Sequence, residues 1–142
     1  MKRMTALAFL AATLISMTAV PAHAQAGVVE ARIPFDFNVG DRVLPAGAYR
    51  ISYATQTAIL VSSLDGRFHA ITATSIADGQ PGGDGVLVFT HYGNHYFLHE
   101  ALCSAVDMNL AIPTSSPEKR ARVQEAGLAR TETVAALHLG AK

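Results

Sequence analysis

The chain has 142 residues, with eleven basic and eleven acidic side chains that cancel to a formal charge of zero. No basic stripe of the kind that follows a nucleic-acid backbone is visible, so nucleic-acid binding is not expected. Cys103 is the single cysteine; no internal disulfide is possible, and the length suits one domain whose core must hold itself together.

The first residues read as a targeting segment. Met1-Lys2-Arg3 is basic, Thr5 to Val20 is apolar, and Pro21-Ala22-His23-Ala24 ends in the small-x-small pattern read by signal peptidase. The apolar run is shorter than the about 20 residues of a bilayer span. The expectation is a signal peptide over residues 1–24, cut between Ala24 and Gln25, and a single β-domain over residues 25–142. Such a chain would be exported, periplasmic or extracellular, with no membrane span after cleavage. Loss of Lys2 and Arg3 makes the remainder slightly acidic.

The mature chain is organised around Val28 to Tyr53, which reads as a long strand, a tight loop and a returning strand. Val29, Ala31, Ile33, Phe35, Phe37 and Val39 alternate with Glu30, Arg32, Pro34, Asp36 and Asn38, a period of two with one apolar face. Pro34 lacks a ladder donor, which places this strand at a sheet edge or at a bulge. Gly40-Asp41-Arg42 breaks it, and Leu44-Pro45-Ala46-Gly47 has the residues of a type I turn. Tyr49, Ile51 and Tyr53 then alternate with Arg50 and Ser52, a second half-buried strand.

Ala58 to Val61 is a short apolar run, read as a strand buried on both faces. Asp65-Gly66 predicts a type I′ hairpin turn into a strand over Arg67 to Thr74. Ala77 to Gly85 reads as an exposed glycine-rich loop. Val86 to Tyr92 and His95 to Cys103 flank Gly93-Asn94 as a second tight hairpin with a type II′ turn. Ser104 to Thr114 is a looser segment. Ser115-Ser116-Pro117-Glu118 carries a cap, a first-turn proline and an acidic residue, predicting a helix from about Pro117 to Ala126 closed by Gly127. Thr133 to Leu139 predicts a closing strand. The fold class that follows is all-β: an antiparallel β-sandwich or small barrel of about seven or eight strands with one short C-terminal helix.

Three segments carry a resemblance: Ile33-Pro34-Phe35-Asp36-Phe37-x-Val39-Gly40, Leu44-Pro45-Ala46-Gly47-x-Tyr49-Arg50-Ile51, and Tyr92-Gly93-Asn94-His95-Tyr96-Phe97-Leu98. This pattern resembles a group of small, uncharacterised secreted β-proteins of soil bacteria and spans most of the mature chain. The resemblance implies one exported β-domain and carries no activity across, because every matched residue is of a turn or core type.

Few residues point to chemistry. His91, His95 and His99, with Glu100 beside them, would line one face of a helix as in zinc sites. Gly93-Asn94 in their midst makes a hairpin instead, in which His91 faces Tyr96 and Tyr92 faces His95. His95 and His99 then share a face with Phe97 while His91 points to the other, and four residues of strand span about 13 Å. No shared metal site is expected. Gly82-Gly83-Asp84-Gly85 begins like a calcium-binding β-helix repeat, but Leu87 stands where an aspartate belongs and only one copy occurs.

There is no Gly-x-Ser-x-Gly elbow. Cys103 has apolar neighbours and reads as a buried small hydrophobe. Lys119, Arg120 and Arg122 with Glu118 and Glu125 read as a solvated helix face, and Tyr49, Tyr53, Tyr92 and Tyr96 as packing residues. No catalytic, cofactor-binding or metal-binding residue and no cofactor is therefore assigned. The functional expectation is a non-catalytic exported domain acting through surface binding or assembly, its partner an envelope protein, a polymer or itself. The alternative is a metal-binding protein or metal-dependent enzyme using the His91/His95/His99 hairpin.

Overall fold

The structure, a computed structural model, describes residues 27–79, 85–125 and 129–138. The expected signal peptide, Gly82 to Asp84 of the calcium-like motif and the helix-closing Gly127 lie outside the described residues.

The described chain is all-β with one short helix. In order it forms β1 (Val28–Ile33), β2 (Phe37–Val39), β3 (Arg42–Leu44), β4 (Gly47–Thr55), β5 (Ala58–Ser63) and β6 (His69–Ala73). There follow β7 (Ser75–Ile76), β8 (Gly85–Tyr92), β9 (His95–Cys103), a 3-10 turn (Ser104–Val106), β10 (Met108–Ala111), α1 (Ser116–Gln124) and β11 (Ala129–His138). The strands join one sheet in the order β3-β2-β9-β8-β11-β1-β4-β5-β6, while β10 pairs with β9 and β7 with β10. All ladders are antiparallel except β2 with β9. The sheet curls into a half-barrel, and β6 at one end of the order packs beside β2 and β3 at the other.

One apolar core fills the concave side, with Phe37, Ile51, Ile59, Val61 and Phe89 wholly buried. Aromatic rings thread it. His91 stacks on Tyr96 at 4.8 Å and Tyr96 on Phe35 at 3.9 Å; Phe35 meets Phe89 edge-on at 5.2 Å. Phe89 in turn meets Phe37 at 5.6 Å, and Phe37 meets Tyr49 at 5.0 Å. Edge-to-face and offset pairs of this kind each add about 0.5–1.5 kcal/mol beyond the area they bury.

The strand, loop and returning strand are present: β1 runs antiparallel to β4 from Val28↔Ser52 to Ile33↔Gly47. The outgoing strand is not continuous, however. Pro34 cannot donate to a ladder, and there the chain leaves β4 and crosses the half-barrel, where Phe37-Asn38 pairs with Tyr96-Phe97. Inward alternation survives the crossing, with Val29, Ala31, Ile33, Phe37 and Val39 all buried. Nor does β1 lie at an edge; it sits between β11 and β4.

Leu44 to Gly47 is a corner between strands that do not pair, rather than a hairpin turn. It is held by the Tyr49 hydroxyl, which donates to the Pro45 carbonyl at 2.7 Å, and by the Ala46 N–H, which donates to Asp36 Oδ1 at 2.8 Å. A tyrosine hydroxyl tied to backbone a few residues upstream is a known brace of β-sandwich corners.

Asp65-Gly66 does not form a type I′ turn, because only Gly66 has positive φ. The loop is longer, closed by Ser63 N–H on Phe68 O and organised by the Asp65 carboxylate, which accepts from Ser63 Oγ, Arg67 N and Arg67 Nε. At the other hairpin Gly93 alone has positive φ, +58°, as a type II′ turn requires.

Strand β5 alternates, with Ile59 and Val61 inward and Ala58 and Leu60 half-buried, rather than being buried on both faces. The looser segment after Cys103 contains β10, and β11 begins before Thr133. Among the described residues eleven strands form against the expected seven or eight, because the first long strand divides at Pro34 into β1 and β2 and because β3, β7 and β10 are too short to print a period-two pattern.

Candidate functional site

Helix α1 packs on the outer face of the sheet, Ala121 against Tyr92 and Phe97. Ser115 caps it by accepting the Glu118 N–H, and Pro117 fits its first turn. It runs against β9 in the reverse direction. Glu118 reaches His99 near one end, Ala121 packs on Tyr92 and Phe97 at the middle, and the Glu125 carboxylate lies over the Gly93 turn.

A bulge in β9 aims His99 at the helix. Phe89 pairs with Leu98 while Val88 pairs with Glu100, so His99 is the extra residue. The ladder it vacates is used: the His99 carbonyl accepts from Ile112 N–H at 2.8 Å. Leu98, Ala101 and Cys103 keep their places in the main core. His99 Nε2 lies 2.8 Å from Glu118 Oε1, and the carboxylate side chain is only 4 % exposed. Glu118 is therefore no part of a solvated helix face, which corrects the charge-pattern reading; Lys119, Arg120 and Arg122 are exposed as expected. The hydrogen bond to Glu118 holds the His99 pKa above its ordinary value, helped by the charges of Glu118 and Glu100 and opposed by burial. Burial raises the Tyr92 hydroxyl, and the charge of Glu118 adds to it.

The three hairpin histidines do different things. In register, His91 is opposite Tyr96 and Tyr92 opposite His95. His91 stacks on Tyr96, and its Nδ1 bonds the Gly93 carbonyl at 3.1 Å, a contact in which the ring nitrogen is the donor. His99 serves the helix, and His95 is exposed. Among the described residues no three His, Cys, Asp or Glu side chains come together as a metal would need. Cys103 is wholly buried in the main core.

Beside α1 the structure forms a cleft of about 520 Å³, within the range of ligand pockets. Its floor is a row across three strands, Val43–Asn38–Phe97, each directly opposite the next. Pro117, Arg120, Ala121 and Gln124 of α1 form one wall; Asp36, Asn94 and His95 close the end. Asn38 is 9 % exposed, and its Nδ2 donates to Tyr96 O at 3.0 Å. That bond fixes the amide, because only the NH₂ side can face a carbonyl, and it leaves Oδ1 as an acceptor toward the cleft. Asp36 is likewise half used, one oxygen accepting from Ala46 N–H. The side chains of Asn94, His95, Arg120 and Gln124 make no hydrogen bond among the described residues.

A second groove, about 510 Å³, lies between the Pro45 corner and the Leu64–Phe68 loop. Its polar groups are already engaged: Tyr49 on Pro45, and Asp65 on Ser63 and Arg67. Those hydrogen bonds hold the Asp65 carboxyl down at about 2.

The sequence named the histidines and Glu118 but not the cleft. Its floor joins residues some 58 positions apart, as the Asn38–Tyr96 bond does, and Asn38 sits among the ordinary polar positions of its strand, so no local pattern gives a sign of it. No family model, curated protein or solved structure matches the chain.

Proposed function

We propose that the chain is an exported, non-catalytic β-domain that works by holding a partner or polymer at its surface, with the cleft beside α1 as the contact site. One observation carries the reading, namely that polar side chains without protein partners among the described residues converge in a concave site. His99 on Glu118, His91 on Gly93, Asp65 within its own loop and Arg50 on Glu30 are engaged, while Arg32, Asp41, Arg42 and His69 stand on exposed surface outside the cleft. In the cleft, acceptors fixed by backbone bonds share one concave surface with free donors, an arrangement suited to reversible recognition. The N-terminal pattern and the resemblance to secreted β-proteins support export.

Two measurements test this. Mass analysis of protein recovered from cell fractions is expected to place the mature N-terminus at Gln25. Immobilised mature protein is expected to retain a component of envelope extract that the double variant Arg120→Ala/Gln124→Ala does not. Equal retention by wild type and variant, or none by either, would remove the cleft as the working surface.

A further inference from the structure

The cleft's chemistry also selects a class of ligand, and this inference rests on the binding role just proposed. We infer that the cleft takes a neutral saccharide segment, recognised by its polar side chains beside the exposed Val43.

Charge is the first discriminator. The lining holds one carboxylate, Asp36, and one guanidinium, Arg120, so it offers no net field for a phosphate, a nucleic acid or a strongly cationic peptide. The second is the kind of polar group. Asn94 and Gln124 are planar amides, and with the Arg120 guanidinium they present paired polar atoms at fixed separation, to which Asn38 adds its Oδ1 and Asp36 its second oxygen. Vicinal hydroxyls, each donor and acceptor at once, answer such pairs from adjacent carbons.

The third is the floor. Val43 is 67 % exposed and stands directly opposite Asn38, whereas Phe97 on the other side is buried, so one exposed apolar side chain borders a fixed acceptor. A pyranose ring has the matching halves, a C–H face and an equatorial rim of hydroxyls. The fourth is the direction of approach. An extended peptide that adds to a sheet needs an unpaired strand edge. The cleft lies over the sheet face, where Asn38 is paired on both sides, to Val43 and to Phe97. At Asn38 main-chain addition is therefore unavailable, and recognition over the sheet face runs through side chains.

The experiment is a two-dimensional ¹H–¹⁵N NMR titration of the mature protein with neutral tetrasaccharides (cellotetraose, chitotetraose, mannotetraose), with an uncharged Gly-Ser octapeptide and with inorganic phosphate. At least one tetrasaccharide is expected to shift the side-chain amides of Asn38, Asn94 and Gln124 together, saturably, while the octapeptide and phosphate leave them unmoved. Arg120→Ala/Gln124→Ala, exposed on the helix and leaving the core intact, is expected to weaken that binding at least tenfold with an unchanged unfolding midpoint. Asn38→Asp, similar in shape, is expected to weaken it too. If only the octapeptide or phosphate shifts these amides, the saccharide class is wrong. If no probe shifts them but the double variant still loses its envelope component, the class is again wrong while the binding role stands. Loss of both effects removes both.

Discussion

The imidazole of His99 and the carboxylate of Glu118, 19 residues apart in sequence, meet at 2.8 Å and pin α1 to the outer face of β9. The carboxylate is almost wholly out of water, whereas the His99 side chain stays 31 % exposed. Losing the histidine therefore strands a buried charge. His99→Ala is expected to cost about 2–3 kcal/mol in urea unfolding, less than the roughly 3–5 kcal/mol of a fully buried broken pair because solvent reaches one partner.

The same pair makes stability depend on pH. The folded pKa of His99 is raised above its ordinary value of 6.5, so its contribution is complete below that value and is lost as pH rises through the folded pKa. The urea midpoint of the wild type is expected to be highest below pH 6.5 and to fall as pH rises above it through the raised folded pKa. His99→Gln, which keeps a donor and does not titrate in this range, is expected to remove most of that fall. An equal fall in both proteins would show that other groups set it.

Tyr49 is wholly packed apart from the hydroxyl that braces the corner at Pro45. Tyr49→Phe keeps the ring against Phe37 and deletes one hydrogen bond, so thermal or urea unfolding is expected to register a loss of about 1 kcal/mol. Tyr49→Ala, by contrast, opens a cavity and is expected to cost about 3–5 kcal/mol.

Gly93 and Gly66 both have positive φ, yet their surroundings differ. A Cβ at Gly93 would lie 3.2 Å from the Glu125 carboxyl carbon, while at Gly66 it would meet nothing within 4 Å. Alanine at either position carries the backbone strain of about 1 kcal/mol or more. At Gly93 the added methyl meets only the movable end of the Glu125 side chain, so the two variants are expected to lose similar stability in urea unfolding, and a much larger loss for Gly93→Ala would show that Glu125 cannot move aside.

Cys103 is inaccessible in the core. A thiol reagent is expected to react with it only at the rate of global opening, and quickly in denaturant. Fast reaction with the native protein would mean that the β9–β10 end of the sheet opens on its own.

Local chemistry was legible where the structure is local. The alternation of Val29 to Val39 and of Tyr49 to Tyr53 set which side chains face inward, and β1 does pair with β4. Gly93-Asn94 announced its turn, and Ser115-Ser116-Pro117-Glu118 the start of its helix, because one residue's φ preference or one side chain's reach decides each. All-β class followed from the number of such strands. Turn type at Asp65-Gly66 failed for a related reason: the aspartate side chain satisfies backbone and side-chain donors of its own loop, and this outweighs the positive-φ preference on which the dipeptide rule rests.

By itself, then, the amino-acid order determined inward faces, turn sites and the helix cap, all of them short-range matters of sterics and hydrogen-bond reach. Tertiary structure alone decided that the chain crosses the half-barrel at Pro34, that Asn38 stands between Val43 and Phe97, and that a glutamate on a charged helix is buried against a bulged histidine. Those outcomes depend on which distant strand lies alongside, and pairing is fixed by the burial of whole faces rather than by the residues next in line.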